Sequence, residues 1–425
     1  MKMISVQSPQ RQIVTKRRTL CLASLGSALE FYDFIVFVFF TGVIGNLFFP
    51  ASVPDWLRQV ETFGIFAAGY LARPVGGIVL AHFGDTRGRK RTFTLSVLLM
   101  AIPTLLIGFL PTYRSIGVAA PVLLLVMRVI QGAAIGGEAP GAWVFVAEHA
   151  RRGQLGFAVG SVTSGLSCGI LLGSLIASGV NIAFSQTQIA TGFWRIPFVI
   201  GGVFGFIAVL LRRWLEETPA FEEMQRRAAV SQEIPLRAIL RGHGRAIATS
   251  VLSTWMLTTA IVVVILMTPS LLQKSFQLPP HDVQLANLIA TVALCLSTLA
   301  IGALADRFGL RRTSIPVFLL LIAATYALYA AADRLPSALL PTYFLAGVGA
   351  GGAVLAPILM VRAFPPSVRF TGVSFSYNTS YAVFGGVTPL LVSWLAHLNQ
   401  LGPSHYVAIV TLLGLIAVLV DPTAH

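Results

Sequence analysis

Long apolar stretches, separated by short charged segments, run the length of this chain and limit what it can fold into. A helix that spans a bilayer needs roughly 20 apolar residues, and many of these stretches are long enough. Only 11% of the 425 residues are charged, too few to cover the water-facing surface of a soluble protein. Transmembrane β-strands alternate polar and apolar residues, whereas these stretches are unbroken. The sequence therefore predicts an all-α membrane protein.

Apolar stretches bounded by charges, glycine or proline predict twelve transmembrane helices. The predicted spans cover residues 19–41, 59–83, 92–110, 119–147, 155–183, 193–211, 246–271, 283–305, 313–332, 337–361, 370–397 and 404–421. The longest polar stretch divides them six and six, and we expect it to form one or two short interfacial helices. The predicted organisation is a cytoplasmic tail at 1–18, an N-terminal six-helix bundle at 19–211, a cytoplasmic linker at 212–245, a C-terminal six-helix bundle at 246–421 and a tail at 422–425.

Basic residues are concentrated on one side of the predicted membrane. The loops on the side of the N-terminus carry 23 Lys and Arg, the opposite loops carry five, and two lie within spans. Loops rich in Lys and Arg remain in the cytoplasm, so both termini are predicted to be cytoplasmic. The net charge of +14 is spread over these short loops, as topology requires. We therefore expect no binding of nucleic acid.

Two charged loops in corresponding positions of the halves resemble each other. Residues 84–91 (GDTRGRKR) follow span two, and residues 305–312 (ADRFGLRR) follow span eight. The Asp and the Gly of the first loop recur 221 residues later in the second. This repeat indicates two related halves, and such halves, with a site between them near the midplane, are typical of secondary transporters.

Further motifs occur in both halves. They are LEFYDF at 29–34, RPVGG at 73–77, RVIQG at 128–132, GGE at 136–138, WRIPF at 194–198, ETPAF at 217–221 and GGVTP at 385–389. With the two loops, they make the chain resemble a major facilitator superfamily transporter and, within that superfamily, the metabolite:proton symporter family. The resemblance implies two six-helix pseudo-repeat bundles in a multi-pass protein of the bacterial inner membrane. It also implies a monomer driven by a proton gradient, without a cofactor.

Charged residues within the spans are the strongest functional candidates, because a charge in the bilayer is costly unless it is paired or hydrated. They are Glu30, Asp33, Arg73, Arg128 and Glu138. Glu30 lies about eleven residues into span one, or roughly 16 Å, close to the midplane, and shares a helix face with Asp33. We predict proton coupling by Asp33, Glu30, Arg128 and Glu138. The family resemblance favours an Asp33–Arg128 pair; the alternatives are a static buried ion pair and, for Glu138, a tie between spans one and four.

Polar and aromatic residues within the spans are candidates for binding the solute. The predicted set is Arg73, Arg128, Gln131, Tyr32, Trp255, Tyr377, Asn378 and Tyr381. Protonation of Asp33 would free the Arg128 guanidinium to bind a carboxylate of the solute. In the repeated loops, we predict that Asp85, Arg89, Asp306 and Arg311 form a gate on the cytoplasmic side; otherwise these loops only anchor the topology.

The predicted function is proton-coupled import of a small polar metabolite by alternating access, with a carboxylate favoured over a zwitterionic osmolyte. The alternative is proton-coupled export of drugs or siderophore-like compounds. The partners are then a small solute, protons and the lipid bilayer. The glycine-rich runs lack the sequence of a nucleotide-binding loop, the histidines lack metal-ligand spacing and no motif of an enzyme is present. Cys21, Cys168 and Cys295 are isolated in sequence and are interpreted as packing residues.

Overall fold

The chain is described by a computed structural model over residues 9–50, 52–226 and 235–424, and every regular element in these ranges is a helix. The twelve long helices are α1 (Pro9–Phe39), α2 (Asp55–Arg87), α3 (Arg89–Phe109), α4 (Ala119–His149), α5 (Leu155–Ala183), α6 (Phe193–Arg213), α7 (Gly244–Ser275), α8 (Pro280–Phe308), α9 (Leu310–Arg334), α10 (Leu339–Ala363), α11 (Arg369–Leu398) and α12 (Gly402–Val420). Short helices lie at Thr41–Phe48, Tyr113–Ile116, Gln186–Thr191, Pro219–Arg226 and Pro235–Gly242.

The helices confirm the predicted all-α membrane fold. Eleven of the described helices are long and apolar enough to cross a membrane. The other long helix, α2, has 33 residues and therefore also has the length to cross, although it carries several charged residues. In the predicted linker, the described residues include the two short helices Pro219–Arg226 and Pro235–Gly242.

Two helix pairs make the most extensive contacts between the N-terminal half (α1–α6) and the C-terminal half (α7–α12). Helix α5 packs against α8, and α2 packs against α11. The loops with the excess of Lys and Arg lie at one end of both halves, which we call the basic end (residues 84–91, 148–153, 307–312 and 362–369). The two halves therefore contact each other through equivalent helices.

The repeated glycines of the two charged loops have the same backbone role. Gly88 separates α2 from α3 with φ of 116°, and Gly309 separates α8 from α9 with φ of 85°. Side chains other than that of glycine are strained at such angles, which explains why both loops contain glycine here. The N-terminus of α3 is then capped by Glu217, whose Oε1 accepts from the backbone N–H groups of Arg89 (3.0 Å) and Lys90 (3.2 Å).

Two spans of the C-terminal half depart from α-helical geometry. Helix α7 is π-helical over Ala260–Met267, and α10 contains a 3₁₀ turn over Gly351–Val354. Both irregular segments contribute residues, Ile261 and Ala353, to a cavity between the halves. Irregular helical segments in such positions are frequent at functional sites and hinges.

Candidate functional site

A small cavity lies between the two halves in the middle of the bundle. Its volume is about 40 Å³. The lining side chains include Phe31, Trp143, Thr163 and Ser167 of the N-terminal half and Tyr377 and Tyr381 of the C-terminal half. Solute sites usually measure ~300–1,000 Å³, so the halves are closed around the centre in this structure.

An arginine and four aromatic side chains form a cluster at this cavity, which we call the Arg73 cluster (Arg73, Tyr70, Tyr381, Tyr377 and Trp143). The Arg73 guanidinium carbon lies 4.7 Å from the ring centre of Tyr70 and 4.8 Å from that of Tyr381. These two rings, one from each half, are stacked 5.8 Å apart. Tyr377 contacts both Tyr381 (5.4 Å) and Trp143 (5.0 Å). The cluster thus holds a buried cation between the halves by cation–π contacts.

Asp33 lies inside the N-terminal half. Its side chain faces α6, where a Cβ at Gly201 would lie 2.6 Å from Oδ1 and a Cβ at Gly205 would lie 3.2 Å from Oδ2. The residue is 1% exposed, and among the described residues neither carboxylate oxygen has a hydrogen-bond partner. A buried carboxylate without partners is costly when ionised, so this position suits an acid that takes up and releases a proton.

The predicted pair of Asp33 and Arg128 is wrong for this state, because Asp33 forms no ion pair within the described part of the chain. Arg128 Nη1 instead donates to Gln131 Oε1 (2.9 Å), and Gln131 Nε2 donates to Thr104 Oγ1 (2.7 Å). The Thr104 side chain borders Gly201, as does Asp33. Arg128, Gln131 and Thr104 therefore form a buried chain of hydrogen bonds within the N-terminal half.

Tyr32 and Trp255 are not brought to the Arg73 cluster. Tyr32 Oη donates to Pro197 O (2.9 Å), so this side chain faces α6, where packing is dense. Trp255 stacks on Phe384 at 4.0 Å and its Nε1 donates to Tyr406 Oη (2.9 Å), contacts that lie within the C-terminal half. The structure therefore places both predicted ligands apart from the central cavity.

The remaining acids and the amide of the predicted set have different positions. Glu138 is 2% exposed on α4. Glu30 lies on α1, but its side chain is outside the described residues. Asn378 Nδ2 donates to Gly136 O (2.6 Å), which joins α11 to α4, while its Oδ1 has no partner among the described residues. A Cβ at Gly77 would lie 2.5 Å from this amide, so glycine permits the close approach of the halves.

Two aspartates of the repeated loops cap helices of the opposite half. Asp85 Oδ2 accepts from the backbone N–H (2.9 Å) and hydroxyl (2.7 Å) of Thr371, in the first turn of α11. Asp306 accepts from the N–H groups of Gly156 (2.7 Å) and Phe157 (2.8 Å), in the first turn of α5. A carboxylate at a helix N-terminus satisfies free N–H groups and meets the positive end of the helix dipole. Each half thus holds the other closed at the basic end.

An ion-pair network surrounds the Asp85 cap. Arg89 Nη1 lies 2.8 Å from Asp85 Oδ1, and Arg89 Nη2 donates to Pro366 O of the other half (2.7 Å). Glu148, which sequence reasoning missed, lies between Arg89 (3.4 Å) and Arg369 (3.2 Å), and its side chain is fully buried. Arg311 does not belong to this network, because its Nη2 donates to Asp421 O in its own half (2.9 Å).

Two of the three cysteines lie on α5 and α8, which pack against each other across the halves. Cys168 lies on α5 and Cys295 on α8, and Ser164 Oγ of α5 donates to Cys295 O (2.8 Å). Cys295 is 5% exposed. Its thiol therefore reports on whether α5 and α8 are in contact, which the isolated positions in sequence did not indicate.

We expect Asp306→Asn to open the basic end. The carboxylate of Asp306 has two acceptor oxygens and a negative charge, whereas the amide of Asn has one acceptor oxygen and no charge. With Cys21 and Cys168 replaced by serine, Cys295 is the sole thiol of the chain. Its labelling by a maleimide should rise about fivefold or more, because the loss of a charged helix cap shifts the population toward the open state. Asp282→Asn, an exposed acid at the other end of α8, is the control. Equal labelling of Cys295 in both variants would show that the cap does not hold the gate.

Comparisons with known proteins cover almost the whole chain. A family model described as sugar (and other) transporter matches residues 19–235, and one described as Major Facilitator Superfamily matches residues 250–424. The citrate-proton symporter of Klebsiella pneumoniae is 31% identical over 400 residues, which are 92% of this chain and 88% of that protein. The proline/betaine transporter of Escherichia coli is 30% identical over 434 residues, 94% of this chain and 82% of that protein.

A solved structure shares the fold. The proton:xylose symporter XylE, bound to 6-bromo-6-deoxy-D-glucose, superposes with a TM-score of 0.78 at 17% identity. The match covers 96% of this chain and 95% of XylE. The twelve-helix arrangement described above is therefore one that a known protein adopts.

Proposed function

Because the chain belongs to the major facilitator superfamily and resembles its symporters, we propose that it imports a small organic acid together with protons. The protein is a transporter rather than an enzyme, and it is a multi-pass protein of the plasma membrane. In the proposed cycle, the halves rock about the central cavity. The basic end faces the cytoplasm, with both termini on that side, and the proton gradient supplies the energy without a cofactor.

The observation that carries this proposal is the position of Arg73 between the halves. Its guanidinium contacts Tyr70 of one half and Tyr381 of the other, beside the cavity. A planar guanidinium binds a carboxylate through two parallel hydrogen bonds, and burial strengthens them. A solute bound here would touch both halves, so its binding would favour the closed arrangement. Arg73 thus replaces Arg128 as the proposed anion-binding residue.

A zwitterionic osmolyte is the second candidate solute. The rings of Tyr70, Tyr377, Tyr381 and Trp143 surround the same place, and a quaternary ammonium group is attracted to aromatic faces. The similarity to a proline/betaine transporter favours this candidate, and the similarity to a citrate-proton symporter favours the organic acid. Citrate, proline and betaine share a carboxylate, which is the group that we assign to Arg73.

Uptake by purified protein in proteoliposomes tests the proposed function. With an acidic outside, we expect a labelled organic acid such as citrate to accumulate above its equilibrium level, and a protonophore to abolish this accumulation. Uptake of labelled proline and betaine is measured under the same gradient. Accumulation of either one in place of the organic acid would identify a zwitterionic osmolyte as the solute. Proton-driven extrusion of a preloaded drug-like dye, without accumulation of any of these solutes, would instead establish the exporter.

A further inference from the structure

A groove separate from the central cavity opens on the outer surface of the bundle at the basic end. Its volume is about 850 Å³. Leu20 of α1 and Leu299 and Ala303 of α8 line its walls. Phe157 and Ser161 of α5 line its floor. Because α1 and α5 belong to one half and α8 to the other, the groove crosses the boundary between the halves.

The groove faces away from the central cavity. On α5, Phe157, Ser161 and Ser164 line the groove, and they are spaced four and three residues apart on one helix face. The cavity is lined instead by Thr163 and Ser167, which lie on another face of the same helix. A molecule in the groove would therefore reach it from the lipid side, without entering the solute pathway.

The interior of the groove is apolar. Phe157, which belongs to a membrane-crossing helix, presents 40% of its surface to the groove side of the bundle. The two hydroxyl groups on α5 already donate within the protein, Ser161 Oγ to Phe157 O (2.9 Å) and Ser164 Oγ to Cys295 O (2.8 Å). From Leu155 to Ser164 the helix rises about 14 Å, close to the ~15 Å of hydrocarbon in one leaflet.

The rim of the groove is basic. Arg151 of the α4–α5 loop and Arg307 at the end of α8 line it, one from each half. Within the described ranges, neither guanidinium forms a hydrogen bond or an ion pair, and that of Arg307 lies 5.2 Å from the ring centre of Phe308. The acid at the rim, Asp306, is already bound by two backbone N–H groups of α5. His149, also at the rim, is bound to Phe145 O through Nδ1. The charge available to a ligand at the membrane surface is therefore positive.

We propose that this groove binds an anionic phospholipid, with its phosphate between Arg151 and Arg307 and an acyl chain along α5. Basic pockets between helices at a membrane surface attract anionic headgroups, and the apolar walls below match a chain in one leaflet. Arg151 and Arg307 belong to opposite halves, and they come apart when α5 and α8 separate. The lipid thus favours the state in which the basic end is closed.

Binding is tested with phosphatidylglycerol, against phosphatidylcholine as the uncharged comparison, by native mass spectrometry and thermal unfolding in detergent. We expect phosphatidylglycerol to bind the wild type more tightly and to raise its Tm more than phosphatidylcholine does. Arg151→Gln combined with Arg307→Gln should weaken this binding about tenfold or more. The control pair is Arg152→Gln with Arg312→Gln, two neighbouring exposed arginines that do not line the groove.

A second variant separates a lipid from a free anion. Ala303→Trp fills the groove and keeps both arginines, so it should also lose phosphatidylglycerol, while inorganic phosphate should not displace the lipid from the wild type. Wild-type binding by the double arginine variant would overturn the proposal. Retained binding by Ala303→Trp, with displacement by phosphate, would overturn the lipid site and leave only a surface anion site.

Discussion

Asp33→Asn is expected to abolish proton-driven accumulation while exchange of solute across the membrane continues. The carboxylate packs against Gly201 and Gly205 of α6 without a hydrogen-bond partner among the described residues. An ionised carboxylate that is buried without partners is costly, and only an acid can change its charge during the cycle. Asn has the shape of the protonated acid and cannot release the proton. The accumulation ratio should therefore fall to about 1 under a gradient that drives the wild type uphill.

The measurement compares uphill uptake with exchange at equal pH on both sides, in the same proteoliposomes. Asp282→Asn, which removes an exposed acid at the start of α8, is the control and should accumulate solute like the wild type. Equal Tm values for the wild type and Asp33→Asn establish that the loss is not a folding defect. Full uphill accumulation by Asp33→Asn would remove this residue from the coupling mechanism.

Arg73→Lys is expected to weaken binding of a carboxylate solute about tenfold, or about 1.4 kcal/mol. Lysine keeps the positive charge but loses the planar pair of donors and the stacking of a guanidinium on Tyr70 and Tyr381. The effect should be seen in the Kd for the transported acid and, to a smaller extent, in uptake at saturating concentrations.

Binding of citrate and of betaine by Arg73→Lys is measured on purified protein, with Arg114→Lys, an exposed arginine at the end opposite the basic end, as the control. If the solute is an acid, citrate binding falls in Arg73→Lys alone. If it is a zwitterion held mainly by the aromatic rings, Tyr381→Leu weakens betaine binding more than Arg73→Lys does. Unchanged binding in both variants would show that the Arg73 cluster is not the solute site.

The sequence determined the class of fold and its division into halves. The twelve apolar stretches and the low content of charged residues exclude a soluble protein. In the bilayer, backbone N–H and C=O groups find no partners in the solvent, so each apolar stretch must form a helix that satisfies them internally. The repeated Asp and Gly of the loops 84–91 and 305–312 also revealed the symmetry. The two glycines are required by positive φ angles, a local property that a sequence records directly.

The contacts of the gate depended on the tertiary structure. Asp85 caps α11 at Thr371, 286 residues away, and Asp306 caps α5 at Gly156, 150 residues away. The donors are backbone N–H groups, which every residue except proline possesses, so no side-chain pattern could identify them. The same holds for Glu148, whose partners Arg89 and Arg369 are separated from it along the chain.

The direction of each polar side chain was likewise decided only by packing. In a soluble helix, the apolar face indicates the interior, but in a membrane helix the face toward lipid is also apolar. Periodicity therefore placed Tyr32 and Asp33 on α1 without showing that they face α6, where Gly201 and Gly205 make room for them. It also did not show that Trp255 faces Phe384. Arg73 became the central cation because α2 and α11 meet there, and that contact exists only when the two halves are assembled.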